Sequence, residues 1–120
     1  MRLGGRATQQ PRGHHALRYA AMWILRTVSD GVPEKTFRVM PGVIRTVGRA
    51  VGADFIVDAA LVSRVHCRLT AFDDGGLELR DMDSTNGTFV NGQRIETARL
   101  APGDRVQIGR IELVALRDAD

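Results

Sequence analysis

Cysteine is nearly absent from this sequence: Cys67 stands alone, so no intrachain disulfide can form and no cysteine-rich zinc site can be assembled. Long apolar runs are missing too. The longest, residues 20–25, has six residues, against the roughly 20 that a helix needs to span a bilayer. Arg18 and Arg26 bracket that run, leaving no apolar segment of the roughly 7–15 residues that a secretory signal requires. These absences set the expectation of a soluble protein in a reducing compartment, cytoplasmic by default and without a membrane partner.

Acidic residues are absent from the first 21 positions, which hold Arg2, Arg6, Arg12 and Arg18. The 120-residue chain has a net charge of +3, which taken alone would suggest nucleic acid as a partner. Removing those four arginines leaves 13 basic against 14 acidic residues in 22–120, so the basicity belongs to the tail. Rich in Gly, Arg, Gln and His and without sustained periodicity, residues 1–21 are expected to be a disordered tail, whether a native extension, an upstream mis-start or a vector remnant. His14 and His15 lie in it with no acid or cysteine nearby to complete a metal shell. Residues 22–120 have the size of one domain.

In that domain no run shows the length and 3.6-residue period of a surface helix. Short β-rich runs occupy 23–28, 36–39, 43–47, 55–57, 65–72, 77–79, 88–90, 94–95, 105–108 and 111–116. Turn chemistry separates them, as at Asp74-Gly75-Gly76, Asn91-Gly92 and Pro102-Gly103-Asp104. Along 65–71 the apolar residues Val65, Cys67, Leu69 and Ala71 alternate with polar ones, the pattern of a strand with one buried face. Many short strands at this spacing predict an all-β sandwich or barrel.

Three polar clusters fall at strand ends, where loops present side chains on a rigid scaffold. They are Gly48-Arg49, then Ser63-Arg64-Val65-His66, then Ser84-Thr85-Asn86-Gly87-Thr88-Phe89-Val90-Asn91-Gly92. A phosphorylated side chain carries a charge of about −1.5 to −2 and three acceptor oxygens, so a site for one needs cationic forks with short hydroxyl or amide donors beside them. Arginine serves better than lysine, because its planar fork donates two parallel bonds. Arg49, Arg64, Ser63 and Thr85 supply such a set.

In this order and spacing the three clusters resemble the signature of the forkhead-associated (FHA) domain family, over residues 22 to about 117. The resemblance implies a β-sandwich of two twisted, mostly antiparallel sheets with about eleven short strands, the binding loops gathered at one end. It implies a non-catalytic reader of phosphothreonine-containing proteins, which prefers phosphothreonine over phosphoserine and partners a Ser/Thr kinase or a kinase substrate. Arg49 and Ser63 would bind the phosphate, Arg64 and Thr85 would assist, and the Asn86 amide would hold the peptide backbone. Gly48, His66, Gly87, Asn91 and Gly92 would support the loops, with residues 57–62 and 81–86 lining the groove.

No cofactor or metal is expected. Asp81 and Asp83 suggest a calcium loop, but Asn86 stands where such a loop needs glycine. Asn86-Gly87-Thr88 fits a glycosylation sequon, which matters only in a secreted protein. Cys67 is expected to be a small buried residue of its strand, not a phosphatase nucleophile. Two other readings stay open: a phospho-independent interaction module, and a nucleic-acid binder that uses the tail.

Overall fold

The alternation of apolar and polar side chains in the first patterned run becomes strand β1 (Met22–Thr27) in the computed structural model, which describes residues 22–118. The tail read as disordered lies outside the described residues. Ten more strands follow: β2 (Thr36–Val39), β3 (Ile44–Gly48), β4 (Phe55–Ile56), β5 (Cys67–Ala71) and β6 (Leu77–Asp81), then β7 (Thr88–Val90), β8 (Gln93–Ile95), β9 (Thr97–Leu100), β10 (Arg105–Ile108) and β11 (Ile111–Asp118). Six of them form one sheet in the order β2-β1-β11-β10-β7-β8, and five form the other in the order β9-β6-β5-β3-β4. Every pairing is antiparallel except the short parallel pair of β3 with β4. This is an all-β sandwich of two sheets, which the strand spacing left open beside a barrel and the family resemblance implies.

Each sheet turns one face inward, and the period-2 pattern decides which residues fill the space between them. Trp23 and Leu25 of β1, Leu69 of β5, Leu77 and Leu79 of β6 and Ile108 of β10 are all buried there. Burying an aliphatic or aromatic side chain of this size contributes about 1.5–3 kcal/mol each. The Trp23 indole also donates its Nε1–H to the Gly75 carbonyl at 2.9 Å, which ties β1 to the turn between β5 and β6 in the opposite sheet. Among the described residues there is no helix, hence none long and apolar enough to cross a membrane.

Two features depart from the sequence reading. Strand β9 was not among the expected runs, and the segment Thr97-Ala98-Arg99-Leu100 shows why: it is an edge strand with only Leu100 fully buried, so it has little apolar signal. Glu96 alone separates β8 from β9, so the chain passes from one sheet to the other across a single residue, with no Gly or Pro to mark the crossing. The second departure is at Val65, expected to face inward with Cys67. Strand β5 starts only at Cys67; Val65 is 43% exposed, while His66 is completely buried. Hydrogen bonds made by the imidazole pull residue 66 into the loop packing and override the alternation.

The loops after β3, β4 and β6 converge at one end of the sandwich. Arg49 N–H donates to the Ser63 carbonyl at 2.9 Å, Ala50 N–H to the Arg64 carbonyl at 3.1 Å, and Met82 N–H to the His66 carbonyl at 3.0 Å. The turn between β10 and β11 joins them, since Gly109 packs on the backbone of Ala60 and Leu61. At the opposite end of β7, Asn91 and Gly92 form the two-residue hairpin turn to β8, with φ of 50° and 84°.

Candidate functional site

The converging loops enclose an open depression lined by Arg49, Ala60, Leu61, Val62, Ser63, Thr85 and Asn86. Four of the five residues expected to touch a ligand are therefore brought together. The fifth, Arg64, is exposed and does not line the depression; its carbonyl is spent on Ala50.

Arg49 follows the last residue of β3, so the strand sets its position. Its Nε–H donates to the Val62 carbonyl at 3.0 Å, which fixes the plane of the guanidinium. The two terminal NH2 groups of that fork have no protein acceptor among the described residues. Ser63 Oγ accepts the Thr85 N–H at 3.0 Å across 22 residues of sequence, so the serine hydrogen remains free to donate outward. Asn86 Nδ2 donates to the Leu61 carbonyl at 3.1 Å, which leaves its side-chain oxygen open as an acceptor.

Buried groups behind the rim hold this arrangement. The Ser63 N–H donates to His66 Nδ1 at 3.0 Å, so Nδ1 must be the unprotonated nitrogen and Nε2 carries the hydrogen. That Nε2–H meets the Gly87 carbonyl at 2.9 Å, and one imidazole thus braces the Ser63 loop against the Asn86-Gly87 loop. Gly87, with φ of 92°, also donates its N–H to Ser84 Oγ at 2.9 Å. Ser84 in turn donates to Asp81 Oδ1 at 2.5 Å, and the buried Thr88 hydroxyl donates to the same oxygen at 2.7 Å. Of the other support residues, Asn91 bonds Asp104 and Arg105 at the far end of β7, so it and Gly92 fix the hairpin and touch no residue of the depression.

Burial disfavours the Asp81 carboxylate, but the bonds from Ser84 Oγ, Thr88 Oγ1 and Ser84 N–H outweigh it and hold its pKa below the usual value. A carboxyl depressed in the folded state stabilises the fold above its unfolded pKa, about 3.9, and loses that contribution as the pH falls through the lower folded value. Asp81→Asn is therefore expected to flatten the loss of stability below about pH 4 relative to the parent chain. At pH 7 it should cost about 1–3 kcal/mol, because hydroxyls of buried Ser84 and Thr88 lose a charged acceptor. Urea melts from pH 3 to pH 7 measure both; parallel pH profiles for the two proteins would count against the assignment.

Two features of the site carried no sequence signal. Leu61 and Asp83 are non-glycine residues with positive φ, 71° and 56°. Such a backbone costs about 1–3 kcal/mol and persists only where its surroundings enforce it. At Leu61 the enforcing contacts are the Asn86 amide on its carbonyl and the packing of Gly109.

Among the described residues that line the depression there is no carboxylate, histidine or thiol. Cys67 points into the core, where burial, with a smaller push from Asp81, raises its thiol to about 12. His66 spends its acceptor nitrogen on the Ser63 backbone, so it cannot take a proton from Ser63 Oγ. Among the described residues no group of three or more His, Cys, Asp or Glu side chains could hold a metal ion.

Comparison with known proteins places this geometry. The ABC transporter ATP-binding/permease protein Rv1747 of Mycobacterium tuberculosis is 47% identical over 79 residues, 66% of this chain and 9% of that protein. The glycogen accumulation regulator GarA of Mycolicibacterium smegmatis is 39% identical over 71 residues, 59% of this chain and 44% of GarA. The chain thus spans less than half the length of these curated relatives. A solved structure from work on phosphothreonine-dependent FHA domain interactions superposes with a TM-score of 0.71 at 29% identity, covering 79% of this chain and 95% of the other. The family model described as FHA domain matches residues 45–109, which run from β3 through the depression to the turn after β10, and the chain belongs to the FHA domain family.

Proposed function

We propose that this domain binds a phosphothreonine-containing segment of another protein and catalyses no reaction on it. One observation carries the proposal: the terminal NH2 groups of Arg49, the Ser63 hydroxyl and the loop bearing Thr85 and Asn86 converge on a single open depression with donors left unspent. A phosphate dianion is the group that two guanidinium donors and a hydroxyl satisfy together. Asn86 would then exchange its bond to Leu61 for the backbone of the peptide, and Arg64 would approach the phosphate from the rim. Among the described residues no group faces Ser63 Oγ as a base, so the arrangement binds without attacking.

The relatives support this reading. FHA domain interactions in one structural neighbour are described as phosphothreonine-dependent, and the FHA domain of FhaA was solved in complex with the intracellular domain of another protein, Rv3910. The partner proposed here is a protein phosphorylated on threonine by a Ser/Thr kinase, or the kinase itself, in the cytoplasm. The threonine methyl, meeting the apolar part of the depression at Ala60 to Val62, would give preference over phosphoserine.

The test is a calorimetric titration of the full chain with degenerate phosphothreonine, phosphoserine and unphosphorylated peptide libraries. Micromolar affinity, equivalent to about 8 kcal/mol, is expected for the phosphothreonine library, with weaker binding of phosphoserine and none of the unphosphorylated peptides. Equal or absent binding of all three would leave a phospho-independent interaction module. Binding lost when residues 1–21 are deleted, and steeply dependent on salt, would favour nucleic acid as the ligand of the tail.

A further inference from the structure

The outer face of the five-stranded sheet carries a charge arrangement that the phosphate site does not explain. Strand register sets Arg68 of β5 directly opposite Arg80 of β6, with Thr46 of β3 beside Arg68 and Thr97 of β9 beside Arg80. All four turn away from the core, whose side is filled by Cys67, Leu69 and Leu79. Like charges directly opposite on neighbouring strands destabilise a sheet. Neither arginine is relieved by an ion pair: the three pairs among the described residues join Arg26 to Glu34, Arg99 to Asp74 and Arg105 to Glu112. Arg68 is also partly sunk into the face, and its Nε is buried without a hydrogen-bond partner.

The nearby acids do not neutralise the pair. Asp54 is held by the Thr46 N–H and hydroxyl, and Asp81 by Ser84 and Thr88. Glu78 lies one step along the same face, and Asp83 and Glu96 border a depression next to Arg80, all beyond ion-pair distance of either arginine. Two adjacent forks ringed at a distance by carboxylates repel a continuous polyanion such as nucleic acid and accept one discrete carboxylate.

We infer that the Arg68–Arg80 pair is a second docking surface, which receives an Asp or Glu side chain from the surface of a protein partner. The bridging carboxylate accepts from the terminal NH2 groups of both guanidiniums and removes the repulsion that the free domain carries. Arginines of this kind are enriched at protein interfaces, where their planar forks order a contact at small entropic cost. The surface is independent of the phosphothreonine reading, since no residue of the depression takes part.

Two measurements test it. In the free protein, Arg80→Thr and Arg80→Gln should each raise Tm by about 2–5 °C by removing the like-charge contact. No rise in either variant would mean that the pair is already neutralised within the chain, which overturns the inference. Next, the Arg49→Ala protein, with its phosphate site disabled, is titrated with the capped peptide Glu-Gly-Glu while the arginine Nε–Hε resonances are followed by NMR. Saturable shifts of Arg68 and Arg80 are expected at concentrations about fivefold below those that move the exposed Arg38 and Arg110, and they should be lost in Arg68→Gln. Equal response of all exposed arginines, or shifts confined to the loops around Ser63 and Thr85, would show a merely solvated pair.

Discussion

Arg49→Ala is expected to weaken phosphothreonine-peptide binding by about 2–5 kcal/mol, roughly thirtyfold to several-thousandfold. The size follows from what the side chain supplies: a fixed charge and two unspent NH2 groups lining the depression, already oriented by the bond from Nε to the Val62 carbonyl. Binding thus spends little entropy in ordering the fork. Arg49→Lys separates charge from shape, because one ammonium cannot both hold Val62 and present two parallel bonds; it should recover part of the loss and leave at least a tenfold deficit. Arg64→Ala, at an exposed position off the depression, should cost about 1 kcal/mol or less. Calorimetric titration of the three variants gives the order directly. Loss of the Val62 bond is expected to lower stability by only about 1 kcal/mol, so a thermal melt shows whether weakened binding reflects unfolding. Unchanged affinity in Arg49→Ala would remove this residue from the site.

Much of the fold is written in the period of the sequence. Strand β1 alternates strictly between half-buried and buried residues, and Cys67, Leu69 and Ala71 do the same on β5. Where the period fails, a polar group has found a partner that no local pattern reveals. His66 is buried because one ring nitrogen accepts from a residue three positions earlier and the other donates to Gly87, 21 positions on. The residues of the depression are legible in another way. Periodicity says nothing of Ser63 Oγ meeting the Thr85 N–H; only the resemblance of the three clusters to a family signature set those two loops side by side.

The features that depend on register or on backbone strain stayed out of reach. The opposition of Arg68 and Arg80 exists only because β5 and β6 pair with Cys67 against Asp81; a shift of one residue would set Arg68 against Leu79 or Asp81 and part the two arginines. Leu61, an ordinary leucine in the sequence, adopts a positive φ because Asn86 and Gly109 hold its backbone from two sides. Strand β9 escaped notice because an edge strand needs little apolar surface and Glu96 gives no turn signal at the crossing between sheets.

Gly48→Ala is expected to damage stability and binding together, although it adds a single methyl group. Gly48 ends β3 in an ordinary extended conformation, so the requirement for glycine comes from space and not from φ. A Cβ at this position would lie 2.7 Å from the Arg64 carbonyl carbon and 2.9 Å from Val65 Cα, with the Arg64 carbonyl oxygen nearer still. All three atoms are backbone, so no side chain can swing away. The segment is also pinned on both sides, by His66 N–H to the Val47 carbonyl at 2.8 Å, Val57 N–H to the Gly48 carbonyl at 2.8 Å and Arg49 N–H to the Ser63 carbonyl at 2.9 Å. To make room, residues 63–66 must move outward and break the last of these bonds, which is the one that sets Ser63 beside Arg49. Overpacking against immovable backbone should cost about 2–4 kcal/mol, a fall in Tm on the order of 10–20 °C for a domain of this size. The folded fraction should bind phosphothreonine peptide more than tenfold less tightly, since a displacement of about 1 Å separates the two residues proposed to hold the phosphate. Gly52→Ala is the matched control: it lies four residues on in the loop that follows β3, has open space around its Cα, and should change stability by less than about 0.5 kcal/mol. Thermal melts and titrations of both variants decide the matter. A Gly48→Ala protein with parental Tm and affinity would mean that the loop carrying Ser63 yields freely, and that the close approach of β3 to Arg64 does not position the site.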